Sequence, residues 1–309
     1  MVGVMLPEKL VIIDYCGTLS LEATRFGRPE NLVGALKESG LAALGVSTPE
    51  AFWQDIVDPT WVEGSTTAIG YARVMARRIA SLGLAPGATT HAIQEATSRF
   101  VSLYLASSRI DPGWRPVLAR LNNHPAAVTV VATDHYAEAT GKITGYLDSW
   151  GIAAQKIGRG GEPLSAPQSS DTFAQLEDQI PEARIVDFSV RGFQRSSRFF
   201  IANSADLGAW KQDPRFWEIL RSQPLLVSVR RILLIDDFGF NEAPGDSYGE
   251  RAKVLARQEE TVAAVKATFQ AVVEGAPFEL PEADWGSDEA ARFIEKTAAR
   301  IDTFLESRR

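Results

Sequence analysis

The chain has 309 residues, enough for one large domain or two modest ones with a sizeable hydrophobic core. Its net charge of -7 gives no basic footprint for nucleic acid, and its single cysteine, Cys16, excludes an intrachain disulfide and a multi-cysteine metal site. Pro7 and Glu8 interrupt the apolar core that a signal peptide would need, and no apolar run approaches the roughly 18 to 20 residues that cross a membrane. We expect a cytoplasmic protein without nucleic-acid or membrane partners.

The first predicted element is a strand at residues 10–14, "LVIID", in which a continuous apolar run ends in Asp14. Gly17 and Thr18 then turn the chain. Three similar runs predict further strands: "AVTVVATD" (127–134), "RFFIANS" (198–204) and "RILLIDD" (231–237). Continuous apolar runs suit strands that are covered on both faces, as in a doubly wound parallel α/β sheet with a Rossmann-like core. Polar residues that directly follow such strands face a common crevice.

Between the first two strands, apolar residues at helical spacing, separated by Gly and Pro, predict an all-helical insertion at residues 21–108. Residues 111–125 predict a helix that returns the chain to the sheet. Residues 136–152 predict the helix that follows the second strand. An irregular insert at about 153–198 opens with a Gly/Pro/Ser-rich loop, and it includes a predicted short helix, "DTFAQLEDQI", and an extra strand or hairpin, "ARIVDFSVRGF".

After the last strand, residues 249–275 predict a long amphipathic helix, and the tail contains another. These long helices could serve a homodimer. The predicted domains are a Rossmann-like core (1–20 and 109–275), a helical cap (21–108) and a C-terminal helical tail (276–309).

The order of polar residues along these elements resembles the haloacid dehalogenase-like (HAD) hydrolase superfamily. The signature of that family is an Asp-x-Asp-Gly-Thr turn, a Ser/Thr, a Lys and a paired acid. The corresponding residues here are Asp14, Thr133, Lys211 and the pair Asp236-Asp237. The segment "KQDPRFWEIL" looks like the family's Lys-Pro-Asp-Pro-x-x-Phe stretch, with Gln212 in place of Pro. The helical insertion directly after the first motif matches the position of the family's C1-type cap.

The resemblance implies phosphoryl transfer, in which catalysis is mostly positioning and charge neutralisation. It implies that Asp14 is a nucleophile that forms an aspartyl-phosphate, that Thr133 donates its hydroxyl to a phosphate oxygen, and that Lys211 holds both the phosphate and Asp14. Magnesium takes oxygen ligands, and one or two carboxylates plus phosphate suffice. The implied Mg²⁺ ligands are Asp14, the backbone carbonyl of Cys16, Asp236 and Asp237. The expected partner is a small phosphorylated or phosphono compound.

Three further residues are expected beside the substrate: Thr18, Asp134 and His135. Asp134 could assist at the phosphate site or cap the helix that begins near Tyr136. His135 could contact substrate at the mouth of the site, or it could be a loop histidine without a role. The polar loop that follows the acid pair could extend the metal or substrate shell, although a solvated loop is the simpler interpretation; its candidates are Asn241, Glu242 and Asp246.

Cys16 stands where the resemblance implies a second acid, which protonates the leaving group and contributes roughly 10²- to 10⁴-fold to the rate. A thiol is a poor proton donor at that position, and neighbouring acids should raise its pKa further. Three interpretations stay open. The first is a hydrolase whose leaving group needs little protonation, such as an acyl phosphate, phosphoanhydride or phosphono compound. The second is a 2-haloacid dehalogenase, against which the paired acids argue. The third is a catalytically weak or inactive binding or regulatory protein.

Overall fold

The computed structural model describes residues 6–159, 197–242, 246–280 and 287–307. The short helix and the extra strand that the sequence predicts within the insert, at 171–180 and 183–193, lie outside the described residues. No helix in the described ranges is both long and apolar enough to cross a membrane.

A six-stranded parallel sheet is the centre of the fold, with strand order β3-β4-β2-β1-β5-β6. The strands are β1 (Lys9–Ile13), β2 (Ala127–Thr133), β3 (Gln155–Lys156), β4 (Phe199–Asn203), β5 (Arg231–Asp236) and β6 (Val272–Pro277). Ile13 of β1 lies opposite Val131 on one side and Ile235 on the other. The chain adds strands first on the β2 side of β1 and then on the β5 side, so the strand order reverses at β1 and opens a crevice at the carboxyl edge. The predicted parallel α/β sheet is confirmed.

Helices cover both faces of this sheet and form a separate layer at its carboxyl edge. They are α1 (Leu21–Phe26), α2 (Pro29–Ser39), α3 (Pro49–Ala51), α4 (Asp58–Thr66), α5 (Tyr71–Leu82), α6 (Thr90–Ser107), α7 (Arg115–Asn123), α8 (Glu138–Ser149), α9 (Ser204–Leu207), α10 (Pro214–Arg221), α11 (Arg251–Phe269) and α12 (Ser287–Glu306). A π-helical segment, Phe52–Val57, joins α3 to α4, and 3-10 turns lie at Ala42–Leu44, Pro112–Trp114 and Ser247–Gly249.

Alternate residues of β1 point into different hydrophobic clusters, which is why its sequence is apolar throughout. Val11 and Ile13 pack in one cluster with residues of α7, α8 and α12. Leu10 and Ile12 pack in the other, with residues of α10 and α11. This two-sided burial is what the continuous apolar runs predict.

A third hydrophobic cluster lies mainly in the helical region between β1 and β2, and its members include Leu36, Phe52, Met75 and Phe100. Several polar contacts join this layer to the sheet side of the molecule. The Trp210 Nε1–H donates to Ser65 Oγ at 2.8 Å. The Glu138 carboxylate of α8 accepts the first backbone N–H of α5 at 2.9 Å. An acid at this end of a helix is favourable because the unpaired N–H groups carry partial positive charge.

The structure corrects the prediction for the chain after β5. A helix was expected over residues 249–275, but α11 ends at Phe269, where Gln270 adopts a left-handed conformation with φ of 53°. Residues Val272–Pro277 then form the edge strand β6, which pairs in parallel with β5. The apolar residues of this segment fit a helix and a strand equally well, and the free backbone edge of β5 decides between them. The tail helix α12 buries Ile294 and Ile301 in the same cluster as β1.

Candidate active site

Three carboxylates meet at the carboxyl edge of the two central strands. Asp14 directly follows β1, and its backbone N–H still donates to Ile235 O of β5 at 2.9 Å. Asp236 is the last residue of β5, and Asp237 follows it. One ligand oxygen from each of the three acids lies within 4.8 Å of the others, and all three side chains are buried. Neighbouring parallel strands that end at the same level explain this convergence.

Lys211 brings a positive charge into this cluster. Its Nζ lies 2.7 Å from Asp14 Oδ1 and 2.6 Å from Asp236 Oδ2. The side chain is buried, which lowers the pKa of Lys211, but the carboxylates of Asp14 and Asp236 outweigh that effect and hold the pKa well above its usual value. The lysine is therefore a permanent cation. Its loop is anchored by the Trp217 Nε1–H, which donates to the Lys211 carbonyl at 2.5 Å.

The cluster has more negative than positive charge. Burial raises the pKa of Asp14 well above its usual range; Lys211 opposes this, while Asp236 and Asp237 add to it. Burial and the charge of Asp236 raise the pKa of Asp237 to about 7. Three carboxylates around one ammonium are a set of hard oxygen donors that a divalent cation would stabilise. The donor set therefore fits a magnesium ion.

Gly17 allows the first turn to approach the acid pair closely. Its φ is +77°, and a Cβ at this position would lie 2.5 Å from Asp237 Oδ2. The Thr18 hydroxyl, buried behind the turn, accepts the Asp237 backbone N–H at 3.2 Å. Thr18, predicted to bind substrate, thus contacts the acid pair and is not among the described residues that line the cavity.

Thr133 ends β2 next to the acids and lines the cavity. Its Oγ1 is buried and has no hydrogen-bond partner in the described part of the chain. A buried polar group without a partner costs about 1–3 kcal/mol. An oxygen of a bound ligand at the acid cluster would supply the missing partner.

Asp134 and His135 take different places beside this strand end. Asp134 Oδ1 accepts the backbone N–H of Lys211 at 3.0 Å, so it secures the lysine loop, whereas α8 begins after Ala137 with no side-chain cap. Burial raises the pKa of Asp134 to about 6. His135 is buried and lines the cavity, where its Nε2 lies 2.7 Å from the Tyr104 hydroxyl.

A cavity of about 580 Å³ opens from the acid cluster toward the helical layer. The sheet side of its lining is polar, while its far side is mostly aromatic: Phe26, Phe52, Trp53, Trp61, Tyr71, Phe100 and Tyr104. None of these aromatic residues is predicted from the sequence to lie at the site, because aromatic residues in predicted helices usually belong to a core. Only the packing of the helical layer against the sheet turns them toward the site.

Cys16 and Glu242 lie close to each other in this cavity. Burial, together with the charge of Glu242, raises the pKa of Cys16 well above its usual value. The residue is therefore a neutral thiol. Asn241, by contrast, does not line the cavity: its amide donates to the Gly17 and Phe278 carbonyls at 2.8 and 2.7 Å, which ties the turn after β1 to the end of β6. Glu242 and Asp246 both line the cavity.

The sequence matches no protein-family model and no curated protein. A solved structure described as a predicted HAD-like family hydrolase from Porphyromonas gingivalis is similar with a TM-score of 0.41 and 11% sequence identity, over 98% of this chain and 100% of that chain. A likeness at this level carries no argument about activity, and the α/β assignment stands on strand order and register.

Proposed function

We propose that the protein is a HAD-like hydrolase that transfers a phosphoryl group from a small phosphorylated or phosphono compound to Asp14 and then to water. The observation that carries this proposal is the convergence of the predicted signature residues, which are far apart in sequence. Lys211 Nζ contacts both Asp14 and Asp236 within 2.7 Å, next to the unpartnered hydroxyl of Thr133. A phosphoryl group needs a nucleophile, a cation and a hydroxyl donor arranged in this way.

In the first step, an Asp14 carboxylate oxygen attacks phosphorus, the bond from phosphorus to the leaving group breaks, and the leaving group takes the bonding electron pair. In the second step, water attacks phosphorus, the bond to Asp14 breaks, and its electron pair returns to the Asp14 carboxylate. Phosphate leaves with the oxygen of the water, and one proton of that water passes to solvent. Lys211 orients Asp14 and neutralises the phosphoryl oxygens. Thr133 donates its hydroxyl to one of them.

Asp14, the Cys16 carbonyl, Asp236 and Asp237 would hold the magnesium ion. The support for this assignment is the buried set of oxygens within 4.8 Å of one another, in which three acids share the single ammonium of Lys211. When bound, the ion supplies further neutralisation of the charge on the phosphoryl group. The same buried carboxylates would repel a departing halide, so the dehalogenase interpretation gains no support.

The charges of the cavity narrow the class of substrate. Beyond the strand ends, the charged residues that line it within the described part of the chain are four acids and one lysine: Asp58, Glu242, Asp246, Glu250 and Lys253. Lys253 Nζ lies 3.4 Å from Glu250, so the one lysine of this set is already paired, and a second anionic group on the substrate would have to approach a set made mostly of acids. The aromatic wall favours an apolar or aromatic body. Together with the thiol at Cys16, this favours an acyl, aryl or carbonyl-activated phosphoryl compound with a single anionic group.

The test is phosphate release from acetyl phosphate and p-nitrophenyl phosphate, with and without Mg²⁺, by the wild type and by Asp14→Asn. We expect release that requires Mg²⁺ and is lost in Asp14→Asn. Asp148→Asn is the matched control, because Asp148 is exposed on α8 and outside the cavity. Turnover that survives in Asp14→Asn would refute the nucleophile. Metal-independent halide release from chloroacetate, or phosphate binding without turnover of any ester, would refute the phosphatase proposal.

A further inference from the structure

The position of the proton on His135 is determined by its neighbours. The backbone N–H of Tyr136 donates to His135 Nδ1 at 2.8 Å, so Nδ1 carries no proton. The ring is buried, and burial lowers the pKa of His135 to about 4, which leaves the imidazole neutral near pH 7. The one ring proton is therefore on Nε2.

This tautomer decides the direction of the Tyr104 hydroxyl. His135 Nε2 lies 2.7 Å from Tyr104 Oη, and since Nε2 carries the proton, the phenol oxygen accepts. Tyr104 cannot donate its own proton to the same nitrogen. Within the described ranges, the phenol has no other hydrogen-bond partner, and the residue lines the cavity. Tyr104 thus has an O–H donor available for a ligand in the cavity.

The phenol ring is held firmly in place. It stacks on His135 with ring centroids 5.7 Å apart, and Phe26 and Tyr71 meet it edge-on at 5.4 and 6.3 Å. Donors that are fixed before the substrate arrives stabilise developing charge without a reorganisation cost. The arrangement suits an oxygen that becomes more negative during the reaction.

Tyr104 also lies near the position of the missing acid, because Cys16 lines the same cavity and is close enough to affect the Tyr104 phenol. Cys16 follows Asp14 by two positions and lines the cavity with Tyr104. Burial raises the pKa of Tyr104 well above its usual value, and the nearby Cys16 and Glu242 side chains act in the same direction, so the phenol keeps its proton. The Cys16 thiol is a poor substitute for a carboxylic acid that would donate a proton to the leaving group.

We infer that Tyr104 donates a hydrogen bond to the leaving-group oxygen of the substrate, in place of the acid that is absent at Cys16, and that His135 positions it. The inference rests on the proposed function. When the phosphorus–oxygen bond breaks, that oxygen takes the electron pair and departs as an anion, and the phenol stabilises it without losing its proton. The contribution of Tyr104 therefore grows with the basicity of the leaving group.

The test is a series of aryl phosphates of graded phenol pKa, hydrolysed by the wild type and by Tyr104→Phe in the presence of Mg²⁺. We expect a loss of roughly 10²- to 10³-fold for the most basic leaving group, as for removal of one preorganised donor. We expect little loss for acetyl phosphate, so the dependence of log(kcat/KM) on leaving-group pKa becomes steeper. His135→Asn should steepen this dependence less than Tyr104→Phe does, because the Tyr104 hydroxyl remains but is no longer held in one orientation.

Tyr15→Phe is the matched control. It removes a phenol whose hydroxyl donates to the Ser108 carbonyl and which does not line the cavity, so the leaving-group dependence should be unchanged. A second measurement checks that Tyr104→Phe keeps an intact site. Benzylphosphonate lacks the ester oxygen, and its Kd should be the same for the wild type and Tyr104→Phe.

Three results for Tyr104→Phe would overturn the role of Tyr104. They are an equal loss of kcat/KM for all esters, no loss for any ester, and weaker binding of benzylphosphonate. These outcomes leave the proposed function standing if the wild type is active and Asp14→Asn is not. A wild type that hydrolyses no phosphate ester overturns both.

Discussion

The burial of neutral His135 makes the stability of the fold depend on pH. Burial lowers its pKa from the usual value of 6.5 to about 4 in the folded protein. Below pH 6.5 the unfolded chain takes up a proton that the folded protein does not accept until about pH 4, so the unfolded state is favoured. The contribution to stability is complete above pH 6.5 and is lost progressively as pH falls toward 4. At about pH 5 this amounts to about 2 kcal/mol of unfolding free energy.

The assay is urea unfolding of the wild type and His135→Asn at about pH 7.5 and about pH 5. In the variant, Asn Oδ1 can still accept the Tyr136 N–H, but no imidazole titrates. Between the higher and the lower pH, the free energy of unfolding should fall by about 2 kcal/mol more in the wild type than in the variant. Asp134 and the other buried acids titrate in both proteins, so their effects cancel in the difference. His91→Asn, at an exposed position on α6, is the control and should behave as the wild type. Equal losses in the wild type and His135→Asn would refute a buried neutral imidazole.

Lys211→Met should lower the free energy of unfolding by about 3–5 kcal/mol, measured in urea, because it leaves the buried carboxyl groups of Asp14 and Asp236 without their cation. A decrease of less than about 1 kcal/mol would contradict a buried ion pair. Gly17→Ala should cost at least about 1–2 kcal/mol for its left-handed backbone, and because the new Cβ displaces Asp237, calorimetry should also show weaker Mg²⁺ binding. Asn241→Ala should cost about 2–3 kcal/mol by thermal unfolding, because it leaves buried backbone groups unpaired; an unchanged Tm would mean that water replaces the amide.

Much of the sheet could be predicted because burial on both faces requires an unbroken apolar run. Such runs identify β1, β2, β4 and β5 in the sequence, and the polar residue that ends each run marks the end of the strand. The edge strands β3 and β6 are different. The first has two residues, and the second leaves Val272 64% exposed, so neither has a distinctive pattern. Their pairing depends on the backbone edge of a neighbour, which local sequence does not show.

The sequence by itself determined the strand ends and hence which residues could meet at the carboxyl edge: Asp14, Thr133, Asp236 and Asp237. It also marked Lys211, although the contact of its ammonium with two carboxylates depends on the loop that Asp134 holds. Only the tertiary structure decided what surrounds them. The places of Tyr104, Glu242 and His135 in the cavity depend on how the helical layer packs against the sheet. The direction of the Tyr104 hydroxyl depends on the Tyr136 N–H, which occupies His135 Nδ1 and leaves the proton on Nε2. Contacts between residues so distant in sequence arise from tertiary packing, and no local sequence pattern predicts them.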